Sequence, residues 1–221
     1  MTIDPRPFVL PASIRAAVFD MDGLLVDTEP LWIVAERALL ARHGAEFTDA
    51  DVAATHGRSI LASLEVYAER IGGADAAALE RELLDLMREA YAAGPPLRPG
   101  ARELVGALRG RVPLAIASNT GEVLVRLALE RTGLLDAFTV IASGFDLGRS
   151  KPDPTVYRVA CEALGVRPGD AVAFEDSPAG VESARAAGLF VVGVPDRPGV
   201  DLRAAGADQV LASLEDVLVE F

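Results

Sequence analysis

A short apolar run, Ala16-Ala17-Val18-Phe19, stops abruptly at Asp20-Met21-Asp22-Gly23, and this junction constrains the 221-residue chain more than any other stretch. The run reads as a buried strand that ends in acid. In open α/β sheets the carboxyl ends of the strands are where ligands bind, because the loops there leave a crevice into which helix N-termini point. Taking a carboxylate out of water is costly unless something compensates it, so neighbouring acids call for a cation. Magnesium suits the place, being a hard ion that takes oxygen ligands and keeps waters and a substrate phosphate in its shell. On its own, the pair also fits a plain strand end with Gly23 turning the chain. An EF-hand loop does not fit, because Gly23 follows Asp20 too soon and Leu31 stands where the bidentate glutamate belongs.

Three further apolar runs end in complementary polar groups. Val112 to Ala117 stops at Ser118-Asn119-Thr120, Thr139 to Ala142 leads through a glycine-containing loop to Arg149-Ser150-Lys151-Pro152, and Ala171 to Phe174 stops at Glu175-Asp176-Ser177. Helical patterns lie between them, so the strands are expected to be parallel and to gather these groups on one rim. That rim fits a phosphate held by Ser118, Asn119 and Lys151, beside a magnesium ion held by Asp20, Asp22 and Asp176.

These segments resemble the four ordered motifs of the haloacid dehalogenase (HAD) superfamily, specifically its β-phosphoglucomutase-like phosphatases of sugar phosphates. The match runs from about Arg15 to the C-terminus. The resemblance implies an α/β Rossmann-like core, a parallel sheet flanked by helices, with a small helical cap inserted after the first strand. It further implies that Asp20 attacks phosphorus to form an aspartyl-phosphate, and that Asp22 protonates the leaving oxygen and later activates water. The metal would be held by Asp20, the main-chain carbonyl of Asp22 and the Asp176 side chain, with Glu175 nearby.

Lys151 is the chain's only lysine, all its other fixed cations being arginine. A compact ammonium on a flexible stem reaches a phosphate oxygen and a carboxylate as a point charge, where a guanidinium needs more room. The same count separates relatives. Phosphonate-cleaving members use a cap lysine as a Schiff base, which this chain lacks, and carbon–halogen cleavage dispenses with the second carboxylate, which it has.

The segment after the first motif reads as helical. Leu31, Val34, Ala35, Ala38, Leu39 and Leu40 recur at helical spacing between Pro30 and Gly44; further helices are expected from Ser59 to Ile71 and from Asp75 to about Ala92. Residues 30–96 are therefore expected to form the cap, and residues 1–29 and 97–221 the core, with hinges around Asp27 to Pro30 and Gly94 to Pro99. His56-Gly57-Arg58-Ser59 reads as the cap's substrate-facing loop. Arg58 fits either a partner for sugar hydroxyls or a second anion, or a solvated helix-start arginine. Trp32 fits a sugar-stacking aromatic or cap core. The mutase branch carries a histidine near Leu31 and Trp32, so its absence favours phosphatase over phosphomutase. His43 reads as a helix-end residue.

The remaining pattern is scaffold: helices from Asn119 to Gly133, from Asp153 to Gly165 and from Ser177 to Gly188, strands at Val191–Val194 and Gln209–Leu211, and a short helix capped by Ser213. Cys161 reads as core, and Thr2 to Leu10 as either disordered or laid against the core. With 51% hydrophobic residues the chain can bury a core and a cap. One cysteine fits a cytoplasmic setting, Met1 to Ser13 lacks a leader pattern, and no run approaches a membrane span. A formal charge of −12 opposes nucleic-acid binding. A monomer acting on a small phosphorylated metabolite is expected, the non-enzymatic alternative being a catalytically silent binding protein on the same fold.

Overall fold

The computed structural model describes residues 3–4, 6–55 and 60–220. Phe8–Val9 (β1) and Ala16–Phe19 (β2) are followed by Glu29–Arg42 (α1), Asp49–Thr55 (α2), Ile60–Arg70 (α3) and Ala76–Tyr91 (α4). Helices and strands then alternate through Ala101–Leu108 (α5), Leu114–Ser118 (β3), Glu122–Thr132 (α6), Val140–Ser143 (β4), Thr155–Ala163 (α7), Ala171–Glu175 (β5), Pro178–Ala187 (α8) and Phe190–Gly193 (β6). Gln209–Val210 (β7) and Val217–Leu218 (β8) close the chain. Six strands form one parallel sheet in the order β4-β3-β2-β5-β6-β7, while β1 pairs with β8 in a separate ladder. The architecture is the expected Rossmann-like core, a parallel sheet flanked by helices, with a small helical cap inserted after the first strand of the main sheet. No helix among the described residues is long and apolar enough to cross a membrane.

Both faces of the sheet are covered, which is why its strands read as unbroken apolar runs. Alternate side chains of each strand point to opposite faces. Ala17, Phe19, Ile116, Val172 and Phe174 join one cluster, which continues into the cap through Leu39, Leu83 and Met87. The Phe19 and Phe174 rings stack there with centroids 4.7 Å apart. Ala16, Ala115, Ala117 and Ala173 face the other way, packed with α7 and α8 residues such as Ala160 and Ala184. Small side chains on that face let two helices lie close to the sheet.

The two chain crossings between sheet and cap run side by side. Asp27 N donates to Pro96 O at 2.8 Å, Arg98 N to Leu25 O at 2.9 Å, and Val26 bridges Leu97 in antiparallel fashion. At the far end of α1, His43 takes the C-cap position and lies 3.2 Å from Glu82 of α4.

Several boundaries differ from the sequence reading. The helix expected to start at Asn119 begins at Glu122 with Gly121 as its cap, because the Asn119 side chain is occupied elsewhere: its Oδ1 accepts from Lys151 N at 2.8 Å. Helix α2 lies where no helix was expected. Its signal was present in Thr48-x-x-Asp51, the spacing of a capping box, and Asp51 Oδ2 does accept from both Thr48 N and Thr48 Oγ1 at 2.7 Å. Helix α5 was likewise not anticipated. The N-terminal stretch lies against the core, with Phe8 paired to Val217 and Asp4 N donating to Val210 O at 2.7 Å.

Candidate active site

Register brings the motifs together. Phe19 pairs with both Ile116 and Phe174, so the next residues, Asp20, Ala117 and Glu175, stand level at the carboxyl edge. The sheet order reverses direction between β2 and β5, and a crevice at such a switch point is the usual ligand site of an open α/β sheet.

Lys151 reaches this crevice from the loop after β4. Its Nζ donates to Asp20 Oδ1 at 2.5 Å and to Glu175 Oε1 at 2.6 Å, with the Lys151 side chain only 4% exposed. Glu175 is fully buried and engaged on every side: Oε1 also accepts from Tyr157 Oη at 2.5 Å, and Oε2 accepts from Asp176 N at 3.2 Å and Ser177 Oγ at 3.3 Å. Helix α8 packs so tightly beneath it that a Cβ at Gly180 would overlap the Glu175 carboxylate. Ser177 caps α8 by accepting from Gly180 N at 3.1 Å. Glu175 thus fixes the ammonium between itself and Asp20.

Asp22 has a different environment, made entirely of hydroxyls. Its Oδ1 accepts from Thr28 Oγ1 at 2.7 Å and Tyr91 Oη at 3.3 Å, and its Oδ2 from Thr120 Oγ1 at 2.9 Å and Ser118 Oγ at 3.1 Å. Four hydroxyls therefore surround this one carboxyl group and fix its orientation. They come from the N-cap of α1, from the last cap helix, and from the end of β3 with the loop after it. Burial, followed by the Asp22 charge, holds the Tyr91 hydroxyl well above its ordinary pKa, so it stays a donor.

The carboxylate oxygens that converge are those of Asp20, Glu175 and Asp176, within 4.8 Å of one another, whereas the Asp22 carboxylate lies outside that group. Burial pushes the Asp20 carboxyl up to about 8 against the pull of Lys151, with Glu175 and Asp22 adding to the rise. Burial and then the Asp20 charge hold Asp176 well above the ordinary carboxylate range. Burial works against the Lys151 charge, but Asp20 and Glu175 more than offset it and keep the ammonium protonated. Three carboxylates against one ammonium leave this pocket short of positive charge. A hard divalent ion fits that deficit, since every donor is an oxygen.

A cavity of about 480 Å³ opens above these groups, of ordinary size for a small-molecule site. Its floor includes Asp20, Asp22, Ser118, Asn119, Lys151 and Asp176, and Trp32 lines its cap side. Arg58, with the loop His56-Gly57-Arg58-Ser59, lies outside the described residues. The sequence reading missed Thr28, Tyr91, Thr120 and Tyr157. The threonines stood beside motif residues, which was a usable signal; the tyrosines lie within helices, α4 and α7, where nothing local sets them apart.

Comparison with known proteins agrees with this geometry. A family model of haloacid dehalogenase-like hydrolases matches residues 14–188. The chain is 33% identical over 209 residues to validoxylamine A 7'-phosphate phosphatase of Streptomyces hygroscopicus subsp. limoneus, covering 92% of this chain and 95% of that protein. It is 34% identical to hexitol phosphatase B of Escherichia coli, over 94% of this chain and 96% of the relative. CbbY from Rhodobacter sphaeroides, solved in complex with phosphate, superposes with a TM-score of 0.82 at 28% identity, covering 91% of this chain and 95% of that one.

Proposed function

The chain belongs to the haloacid dehalogenase-like hydrolases, and on that footing we propose that it is a magnesium-dependent phosphatase of small sugar and sugar-alcohol phosphates. The observation that carries this reading is Asp20 at the end of β2, held by Lys151 Nζ at 2.5 Å, with a second carboxylate, Asp22, facing the same cavity. Residues 30–96 act as the cap, and 1–29 with 97–221 as the core. The acidic balance of −12 supports the absence of a nucleic-acid partner, and the single free cysteine, buried on α7, fits a reducing cytoplasm.

Asp20 attacks phosphorus, the bond to the ester oxygen breaks, and its electron pair stays on the leaving oxygen, which takes a proton from Asp22. Asp22 then receives a proton from water as that water attacks the aspartyl-phosphate, releasing inorganic phosphate and restoring Asp20. Ser118, Asn119 and Lys151 hold the phosphoryl oxygens, with Lys151 fixed in direction by Glu175 and in loop position by Asn119. Asp20, Asp176 and the main-chain carbonyl of Asp22 would hold magnesium, Glu175 supporting them from behind. Bound there, the ion neutralises charge on the phosphoryl group and lets an anionic nucleophile approach it. Non-enzymatic hydrolysis of phosphate monoesters is so slow that enzymes gain up to about 10²¹-fold, and no single effect supplies that much. Proton transfer contributes only about 10² to 10⁴, so positioning and charge must carry the rest.

The test is phosphate release from a panel of hexose and hexitol phosphates. Turnover with magnesium, and its loss in a chelator, is expected. Isomerisation of hexose phosphate that requires a bisphosphate primer would instead make the protein a phosphomutase.

Tyr91 gives a sharper check on Asp22. Tyr91→Phe removes one of the four hydroxyls and little else, and is expected to cost about tenfold in kcat/KM on a hexitol phosphate, the scale of one hydrogen bond that orients the acid. With p-nitrophenyl phosphate, whose phenolate departs without a proton, the loss should be severalfold smaller. Equal losses on both substrates would mean that Tyr91 serves packing alone.

A further inference from the structure

The part of the cavity distant from the phosphate is walled by the cap, and its chemistry is uneven. Trp32 and Glu36 stand one turn apart on the same face of α1, Ser63 comes from α3, and Val52 and Leu83 fill the gaps between. Among the described residues, Glu36 is the only charged side chain of the cap that lines the cavity, and no ion pair involves it. The neighbouring cation is already committed: Arg70 pairs with Asp51, whose other oxygen binds Thr48. Glu36 is hydrogen-bonded by Tyr67, yet burial still pushes its carboxyl up to about 7, the Asp51 charge adding to the rise.

A half-buried carboxylate with no cation gains from a ligand that donates hydrogen bonds or carries positive charge, and opposes one that is anionic. An aromatic wall beside a few polar groups is also how apolar sugar faces and their hydroxyls are bound together. We propose that Glu36 is a specificity-determining residue that selects monophosphates whose alcohol portion bears hydroxyls or an ammonium, and rejects substrates with a second phosphate. This rests on the phosphatase reading above and narrows its substrate class. The acid performs no chemistry; it touches the part of the substrate that departs with the ester oxygen.

The experiment measures kcat/KM above pH 7, where more than half of Glu36 is ionised, for glucitol 6-phosphate, glucosamine 6-phosphate, fructose 1,6-bisphosphate and p-nitrophenyl phosphate. Wild type and Glu36→Gln are compared with magnesium. Wild type is expected to favour both monophosphates over the bisphosphate by about 100-fold or more, a ratio within reach of one unpaired or opposed charge. Glu36→Gln should compress that ratio at least about tenfold, with glucosamine 6-phosphate losing most and the bisphosphate gaining. Each ratio is taken within one enzyme preparation, so the amount of active enzyme cancels, and p-nitrophenyl phosphate serves as the substrate with no hydroxyls for the cap. A ratio that Glu36→Gln leaves unaltered, a bisphosphate that wild type accepts as readily, or turnover confined to p-nitrophenyl phosphate would each overturn the assignment. Absence of magnesium-dependent turnover on all four substrates would remove the phosphatase reading itself, and this inference with it.

Discussion

Asp20→Asn is expected to stop magnesium-dependent phosphate release, by about 10⁴-fold or more in kcat, without unfolding the protein. An amide has the shape of the carboxylate but is not a nucleophile toward phosphorus. Its oxygen can still accept from Lys151, so the link at 2.5 Å between the loop after β4 and the end of β2 keeps a partner. Stability should not fall, because the change removes one of three crowded carboxylates whose own pKa burial has pushed to about 8. Thermal unfolding in chelator is therefore expected at the wild-type temperature or slightly above it. Retention of more than about 1% of wild-type turnover would move the nucleophile elsewhere. If wild type and Asp20→Asn were equally inactive across a broad phosphate panel, the protein would be a binding protein that has kept the fold without the chemistry.

How much of this was legible depends on how local each signal is. Strands β2, β3 and β5 are buried on both faces, so each is an apolar run that a reader can see, and the polar residue ending each run marks the rim. Ser177-Pro178 and Gly188 announce α8 at both ends, since a capping hydroxyl, a proline in the first turn and a terminal glycine each act within a few residues. Asn119 misled for the same reason: it has the chemistry of a cap, but its oxygen is taken by Lys151, 32 residues away. Tyr91 and Asp22 are 69 residues apart, and nothing local distinguishes a tyrosine that packs from one that aims its hydroxyl at a carboxylate. The same holds for Tyr157 and Glu175. The pairing of β1 with β8 joins two dipeptides near opposite ends of the chain, too short for alternation to show. Motif residues are thus readable because their strands are, and the side chains that orient them are not, because only the fold brings them near.

Lys151→Met is expected to damage both catalysis and stability, and the two effects separate by their response to magnesium. The Lys151 side chain is 4% exposed and its ammonium serves both Asp20 and Glu175, so its removal leaves buried carboxylates without their cation. Breaking a buried pair in this way costs about 3–5 kcal/mol, and chelator-treated protein should unfold at a markedly lower temperature. Saturating magnesium, which binds the folded state, should return part of that loss. Catalysis should not return with it, because a preorganised donor to the transferring phosphoryl group is missing; a loss of about 10² to 10³ in kcat is expected to persist at any magnesium concentration. The sign of the pH response follows from Asp20. Its folded pKa lies above the ordinary 3.8, at about 8, so its contribution to stability is complete below 3.8 and declines as pH rises toward 8 in metal-free wild type. Lys151→Met raises the folded value further and extends that decline to higher pH, while bound magnesium favours the ionised carboxylate and flattens it. Lys151→Arg keeps the charge but must place a planar fork where a point charge fits between two carboxylates, with Tyr157 against one of them. It should therefore recover stability incompletely and catalysis less. Full rescue of both by arginine would mean that charge alone, rather than the position of one nitrogen, is what the site requires.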